Sequence, residues 1–402
     1  MPAAGEPISP DLGPVLAEFF DAAHRIEPDR LVLLVETAGA ALGATSLRLW
    51  LADHEQRLLI HLPVTNHAPL SPRAIEGTSA GRCFVSSEPV ERSEADGSDH
   101  AWLPLLNGVD RIGVMEIEAP VLDAEHLESF RHLASAATAE IVTRGQYTDR
   151  FLEVRRRRHM TLAAELQWQA LPPASFTTDD VSVAGILEPA YDVGGDTFDY
   201  AHARDRLDVA IFDAVGHDLA STLICTLALG AYRNSRREGG DLRDHAARMD
   251  ATMHEQLARG SFATGQIGTL DTSTGMFRWL NAGHPPPLLV RDGHVRPLVC
   301  KPRLPFGIGH MEPGRVADIA EDQLQPGDGI LLYTDGVIEA RKPGGEDFGL
   351  DRLMEFLHTA FAAGLAPHET LRRLSHAVVD FHEGSLRDDA TNLLVVWQQD
   401  HH

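Results

Sequence analysis

Residues 206–216 read RLDVAIFDAVG, an apolar run that stops at Asp213 and reaches a glycine at Gly216. The same punctuation recurs three more times. GILLYTDGVIEA (329–340) places Asp335 directly before Gly336, and RDDATNLLVVW (387–397) sets Asp388 and Asp389 before a strongly apolar run. YDVGGDTFDY (191–200) puts Asp196 after two glycines at the mouth of another strand. An ionised carboxylate seldom sits beside a buried strand uncompensated, because it loses hydration it cannot replace. No lysine lies nearby in sequence, and several acids gathered at strand ends repel one another unless a divalent cation neutralises them. Oxygen ligands favour hard ions, so magnesium or manganese is expected over zinc. Gly194, Gly195, Gly216 and Gly336 permit the tight turns that bring backbone carbonyls close to an ion. A single Asp–Gly at a strand end is ordinarily a turn residue, and for Asp335 or Asp388 alone that reading stands. Four such sites in one domain point to a divalent-metal site.

The texture around these stretches is strand-rich. VSVAGIL (181–187), TFDYAHA (197–203), PPLLV (286–290) and TNLLVVW (391–397) read as strands, and GQIGTLDTSTGMFRWLNAG (265–283) reads as a hairpin turning at Asp271 to Gly275. Helical patterns occupy about 217–237, 241–258, 349–363 and 367–383. Antiparallel strands with helices inserted and appended predict an α+β fold in which helices cover the sheets.

Upstream, residues 12–43 carry apolar residues at helical spacing, and LRLWLA (47–52) and RLLIHLPV (57–64) follow as strands. WLPLL (102–106) and RIGVMEIEA (111–119) flank NGVD, a hairpin signal. From Asp123 to about Leu171 the spacing of Leu127, Phe130, Leu133, Ala137, Ile141, Tyr147, Phe151 and Val154 predicts one long helix, a connector or coiled coil. RRRR at 155–158 reads as a solvated face of that helix in preference to a nucleic-acid contact. The prolines of LPPASF (171–176) end it.

The chain has 402 residues, more than one ordinary core supports, so two domains are expected. Its 43% apolar and 23% charged residues are those of a globular protein. A formal charge of −24 disfavours nucleic acid and anionic membrane as partners. No apolar stretch approaches the roughly 20 residues of a membrane span. The first residues lack a secretory pattern, and Cys83, Cys225 and Cys300 are too scattered for a disulfide framework, so a cytoplasmic location is expected.

Taken together, PAYDVGGDTFDY, IFDAVGHDLAS, FATGQIGTLDTSTGMFRWLNAGHPPPLLVRDG, PFGI, LQPGDGILLYTDGVIEAR, FGLDRL and RDDATNLLVVW resemble, in order, the motifs of the PPM family of metal-dependent protein phosphatases in its bacterial SpoIIE-like branch. The resemblance covers essentially all of 185–398. It implies an αββα sandwich of two antiparallel sheets within a phosphatase domain at 172–398, and two manganese or magnesium ions at one edge. Carried over by motif, Asp196, Asp213 and the carbonyl of Ala214 hold one ion. Asp213, Asp335 and Asp388 hold the other, so Asp213 and Asp335 are the catalytic acids and Asp389 stands behind them. His217 is either a proton donor to the leaving oxygen or a second-layer, helix-start residue. Asp218 replaces the family's usual glycine and reads as a helix-start acid, His284 reads as structural, and Glu339 is a supporting acid. Two such ions lower the pKa of water and supply hydroxide for in-line attack on phosphorus.

Residues 75–90 (IEGTSAGRCFVSSEPV) and 102–118 (WLPLLNGVDRIGVMEIE) resemble a GAF domain, implying a GAF-like α/β sensor at 12–145 joined by a helical linker at 146–171. A GAF domain implies an unknown small ligand or dimerisation. Cys83 is then either a sensing thiol or a small core residue. The resemblance as a whole implies dephosphorylation of phosphoserine or phosphothreonine on a regulatory protein, an anti-sigma-factor antagonist, by a homodimer under GAF control. The alternative is a catalytically weak phosphoprotein-binding module of the same fold.

Overall fold

The computed structural model describes residues 12–398 except 94–98, 193, 217, 259, 313, 343, 383–385 and 387. It comprises two compact units that meet in sequence at Arg158 and His159.

The first unit contains α1 (Leu12–Ala23), α2 (Leu31–Ala41), β1 (Ser46–Ala52), β2 (Leu58–Leu62), β3 (Arg73–Ala74), α3 (Ser79–Ser86), β4 (Val90–Ser93), β5 (Asp99–Asn107), β6 (Asp110–Ala119), α4 (Ala124–Arg144) and α5 (Arg150–Arg155). Its strands form one antiparallel sheet in the order β3-β2-β1-β6-β5-β4. Alternation along β6 divides the two faces. Met115 and Ile117 join α1, α2 and α4 in the larger apolar cluster. Val114 joins Trp50, Trp102, Cys83 and Phe84 under α3. Cys83 is fully buried there, and burial pushes its thiol pKa up, which suits a core residue.

The long helix expected over 123–171 is instead three. α4 ends at Arg144, α5 is a separate short helix, and α6 (Leu162–Ala170) opens the second unit. The physical reason lies in the apolar stripe itself. Phe130, Leu133, Ala137 and Ile141 are spent inside the first unit's own core, as is Phe151, leaving no continuous face for a coiled coil. The arginine run leaves the helix at Arg155, whose Nε donates to Ala52 O at 2.8 Å. Arg157 and Arg158 are exposed, as the solvated reading expects, with Arg158 standing 2.9 Å from Glu55.

After α6 the second unit continues with β7 (Ser175–Thr177), β8 (Val181–Glu188), β9 (Asp196–Ala203), β10 (Arg206–Ala214), α7 (Leu219–Glu238), α8 (Leu242–Gln256), β11 (Ala263–Asp271), β12 (Met276–Ala282), β13 (Leu288–Arg291), β14 (His294–Pro297), β15 (Ala320–Gln323), β16 (Gly329–Tyr333), α9 (Asp335–Glu339), α10 (Gly349–Ala362), α11 (Pro367–His382) and β17 (Ala390–Trp397). Two antiparallel sheets result, ordered β15-β12-β11-β10-β9 and β14-β13-β16-β17-β8-β7. The alternation of side chains shows how they are covered. Along β17, Leu393, Val395 and Trp397 enter a cluster shared by both sheets, while Ala390, Leu394 and Val396 pack with α9, α10 and α11. Along β10, Leu207, Val209 and Ile211 enter the shared cluster, while Ala210, Phe212 and Ala214 pack with α7 and α8. Strands covered on both faces read as unbroken apolar runs, which is the pattern the sequence carries. Each large side chain removed from water in this way contributes roughly 1.5–3 kcal/mol.

Candidate active site

Strand parity determines where the acids go. Asp213 follows Leu207, Val209 and Ile211 at two-residue spacing, so it lies on the face of β10 turned to the shared cluster, at the strand's end. Asp196 is its direct cross-strand partner and shares a face with Phe198. On the other sheet, Thr334 continues the Ile330–Leu332 face of β16, and Asp389 precedes the Leu393–Val395 face of β17. Four stretches distant in sequence thus deliver polar groups to one edge of the shared interior.

Hydrogen bonds tie the two sides together. Asp389 Oδ2 accepts from the backbone N–H of Gly194 at 2.9 Å and of Asp196 at 3.1 Å, fixing the glycine loop. Thr334 Oγ1 donates to Asp196 Oδ2 at 2.6 Å and accepts from Thr391 N at 2.9 Å. Asp388 Oδ1 accepts from Asp389 N at 3.0 Å, and its residue is exposed. Asp335 opens α9, where Gly336 passes so near Asp389 that a Cβ would lie 2.0 Å from the Asp389 carbonyl oxygen. The carbonyl of Ala214 faces Gly195, where an added Cβ would meet it at 3.1 Å.

The electrostatics are those of crowded like charges. Burial, then the charges of Asp213 and Asp389, raise the Asp196 carboxyl well above the usual range. Burial and the charges of Asp335, Asp388 and Asp389 push Asp213 up to about 8. Asp389 rises to about 6 through burial, opposed by the backbone N–H groups it accepts from. Asp335 is raised by burial, Asp388 and Glu339, the last exposed at the end of α9.

Arginine resolves the same problem elsewhere in this unit. Buried Asp199 pairs with Arg233 and Arg236, Asp208 with Arg206, and Asp328 with Arg291. Among the described residues no basic side chain stands in ion-pair range of Asp196, Asp213, Asp335, Asp388 or Asp389. Among the described residues these acids therefore have no basic counter-charge, and their all-oxygen donor set fits a hard divalent cation. Among the described residues no three acidic, imidazole or thiol groups already surround one point at ligand distance, so the acids converge without forming a closed cage.

Several neighbours act as supports. His284 Nε2 donates to Tyr333 O at 3.0 Å, which leaves Nδ1 to accept from Thr264 Oγ1 at 3.0 Å. Burial pushes the His284 pKa down to about 3, so the ring is a neutral strut between the sheets. The single Thr264 proton is then committed to His284, leaving no donor for Asp213, whose Oδ2 lies 3.5 Å away. Asp218 caps α7 in a reciprocal box with Ser221, as the helix-start reading expects. Cys225 Sγ donates to Gly195 O, and burial beside Asp196 and Asp213 raises its thiol well above the ordinary range, so no thiolate is offered here. His217 lies outside the described residues. The sequence did not single out Thr334, Thr391, Thr264 or Gln167. The first two share strand parity with the acids, a signal that was available. Gln167, whose Nε2 donates to the Asp196 carbonyl, is a helix residue with no such signal.

α6 reaches the glycine loop at further points. Trp168 Nε1 donates to Ala190 O at 2.8 Å, Thr161 N donates to Tyr191 O at 3.0 Å, and Met160 and Ala164 pack on Tyr191. The first unit holds a cavity of about 470 Å³ between α2, β1, β2 and the segment after β2, lined in part by Glu36, Arg48, His61 and His67.

Residues 203–398, just under half of the chain, match the family model described as Stage II sporulation protein E (SpoIIE), so this part of the second unit is similar to that family. Asp196 falls before the first matched residue and is tied to the domain by its pairing with Asp213. Among curated proteins, the chain is 25% identical over 264 residues to protein IcfG of Synechocystis sp., covering 58% of this chain and 40% of that one. It is 22% identical over 238 residues to the phosphoserine phosphatase RsbU of Bacillus subtilis, covering 58% of this chain and 68% of that one. The chain thus spans well under half the length of the first relative. Among solved structures, the RsbU and RsbW domains of Rv1364c from Mycobacterium tuberculosis superpose with a TM-score of 0.50 at 26% identity, covering 58% of this chain and 64% of that one. Among the described residues, no helix is long and apolar enough to cross a membrane.

Proposed function

We propose that the second unit removes phosphate from phosphoserine or phosphothreonine on a regulatory protein, using two manganese or magnesium ions held at the acid-lined edge of an αββα sandwich. The observation that carries this reading is the set of converging carboxylates with raised pKa values and no basic partner among the described residues. Asp196, Asp213 and the Ala214 carbonyl would hold one ion, and Asp213, Asp335 and Asp388 the other. Bound there, the pair neutralises phosphoryl charge and acidifies water at neutral pH. Asp389 fixes the loop that presents Asp196, and Thr334 orients its carboxylate. Neutral His284 holds Thr264, whose Oγ1 lies 3.5 Å from Asp213 Oδ2.

The phosphoserine phosphatase RsbU among the relatives supports the substrate class, and the family resemblance supplies the partner, an anti-sigma-factor antagonist. The first unit is read as a GAF-like sensor whose ligand occupies the cavity beside Arg48 and His61. Control would pass through α6, which grips the Asp196 loop through Gln167 and Trp168.

The test is manganese-dependent hydrolysis of p-nitrophenyl phosphate by the wild-type chain, Asp213→Asn and Asp335→Asn. Loss of turnover in both variants is expected. Identical behaviour of all three proteins rejects the enzyme reading and leaves a phosphoprotein-binding module.

A further inference from the structure

The cavity of about 470 Å³ lies wholly within the first unit, and one of its walls is an unfinished strand edge. β1 pairs with β6 from Ser46 to Leu51, but with β2 only from Leu49 to Ala52. Ser46, Leu47 and Arg48 line the cavity and have a neighbouring strand on one side alone. Successive residues of an antiparallel strand turn their N–H and C=O groups to opposite sides. At least one of the three therefore offers a donor and an acceptor to the open side. α2 flanks the space with Glu36 and Ala40, and the segment after β2 flanks it with Val64, His67 and Leu70.

The charges around this space do not balance. Arg48 Nη1 donates to Glu118 Oε1 at 2.7 Å and lies 3.6 Å from Glu116, so its charge is committed to the sheet. Burial and the nearby Arg48 charge push the His61 pKa down, which keeps that ring neutral. Its Nδ1 accepts from Leu70 N at 3.2 Å, leaving Nε2–H as the donor. Half-buried Glu36 has no basic side chain in ion-pair range among the described residues. Burial raises its pKa, opposed by the charges of His67 and Arg48. An anion entering here would meet that carboxylate with no uncommitted cation to offset it. An ammonium group would meet a carboxylate and a strand-edge carbonyl, between apolar walls that include Ala40, Ala44, Val64 and Leu70.

We infer that this cavity binds a small organic cation, a protonated amine on a compact apolar body, with Glu36 as its counter-charge and the open edge of β1 as its second anchor. The inference deepens the reading of the cavity as a ligand site, on which it rests, and needs nothing from the phosphatase reading. A volume of about 470 Å³ falls in the lower half of the range of roughly 300–1,000 Å³ for small-molecule pockets, which suits one ring or a short chain besides the amine.

The test uses three probes that share a body and differ in head group: 2-phenylethylamine, 2-phenylethanol and 3-phenylpropionate. Binding to the full-length chain is read by ligand-observed NMR titration at about pH 8, above the ordinary imidazole range. Amide exchange at residues 46–48 is read alongside, with β5 as the control. The amine should bind about tenfold more tightly than the alcohol, the scale of a hydrogen bond to a charged group, and the propionate should not bind. Glu36→Gln should remove that preference. Ala40→Phe, which fills the space from an exposed helical position, should abolish amine binding. The bound amine should slow exchange within residues 46–48 and leave β5 unchanged. Equal binding of amine and alcohol, or a Glu36→Gln chain that keeps the preference, overturns the cation. Preference for the propionate does the same but retains the cavity as a ligand site. Amine binding undiminished in Ala40→Phe, or exchange unchanged at residues 46–48, overturns the location. No binding by any of the three probes defeats both the cation and the ligand site.

Discussion

Replacing Asp213 with Asn separates the charge of that carboxylate from its shape. Its folded pKa is about 8 against an ordinary value of 3.8. Because the folded value is the higher one, protonation favours the native state. The associated stability is fully present below about pH 4 and is lost as pH rises towards 8. At about pH 7.5 the gap to the ordinary value is nearly four units, a ceiling of about 5 kcal/mol at about 1.4 kcal/mol per unit. Asp213 is partly exposed and shares its protons with neighbouring acids, so solvent screening and coupling bring this to about 2 kcal/mol. For a unit of this size that is about 4–8 °C in melting temperature. Thermal unfolding in EDTA should therefore show Asp213→Asn melting several degrees above wild type at about pH 7.5, with the gap closing near pH 4.5. Manganese should then raise the wild-type midpoint and leave the variant nearly unmoved, since the variant has lost the charge that the ion relieves. A variant that melts at or below wild type in EDTA at the higher pH, or a gap independent of pH, refutes the account of crowded like charges.

Other substitutions probe the supports. Gly336→Ala drives a Cβ to 2.0 Å from the Asp389 carbonyl, an atom that cannot swing aside, and should cost about 1–3 kcal/mol in urea unfolding along with manganese affinity by calorimetry. Thr334→Val strips a donor from Asp196 and an acceptor from Thr391, so a loss of about 2–4 kcal/mol is expected from the same unfolding measurement. Gln167→Leu should reduce kcat several-fold while shifting stability by no more than about 1 kcal/mol, because it frees a loop carbonyl without opening the core. The His284 ring should show no titration between about pH 5 and 8 by NMR, given a pKa pushed down to about 3.

Much of the second unit could be read directly because its strands are covered on both faces. LDVAIFDA and TNLLVVW have few competing interpretations, and the acids stand out at their ends. The helices at 219–238, 242–256, 349–362 and 367–382 likewise followed from spacing and breakers. Edge strands such as β7, β14 and β15 were missed, since three or four residues carry too little periodicity. The helix over 123–171 failed for a different reason. Its apolar stripe is genuine, but periodicity does not say whether that stripe meets a second helix or the chain's own sheet. The arginine run was read only in part: Arg157 and Arg158 are exposed, but the Ala52 carbonyl that Arg155 meets lies about a hundred residues away in sequence. Gln167 escaped notice because a polar helix residue gives no hint of its distant carbonyl acceptor.

The pairing of β9 with β10 has a consequence for how this domain tolerates change. Asp196 meets Asp213 across a hairpin whose tip runs from Ala203 to Arg206, and strand faces alternate with every residue. One residue inserted at that tip would shift the register by one, turning the Asp196 side chain towards the α7 layer while leaving the backbone ladder intact. Loops elsewhere on the surface can lengthen at little cost. This tip acts as a ruler, and its length is under the same constraint as the acids it aligns.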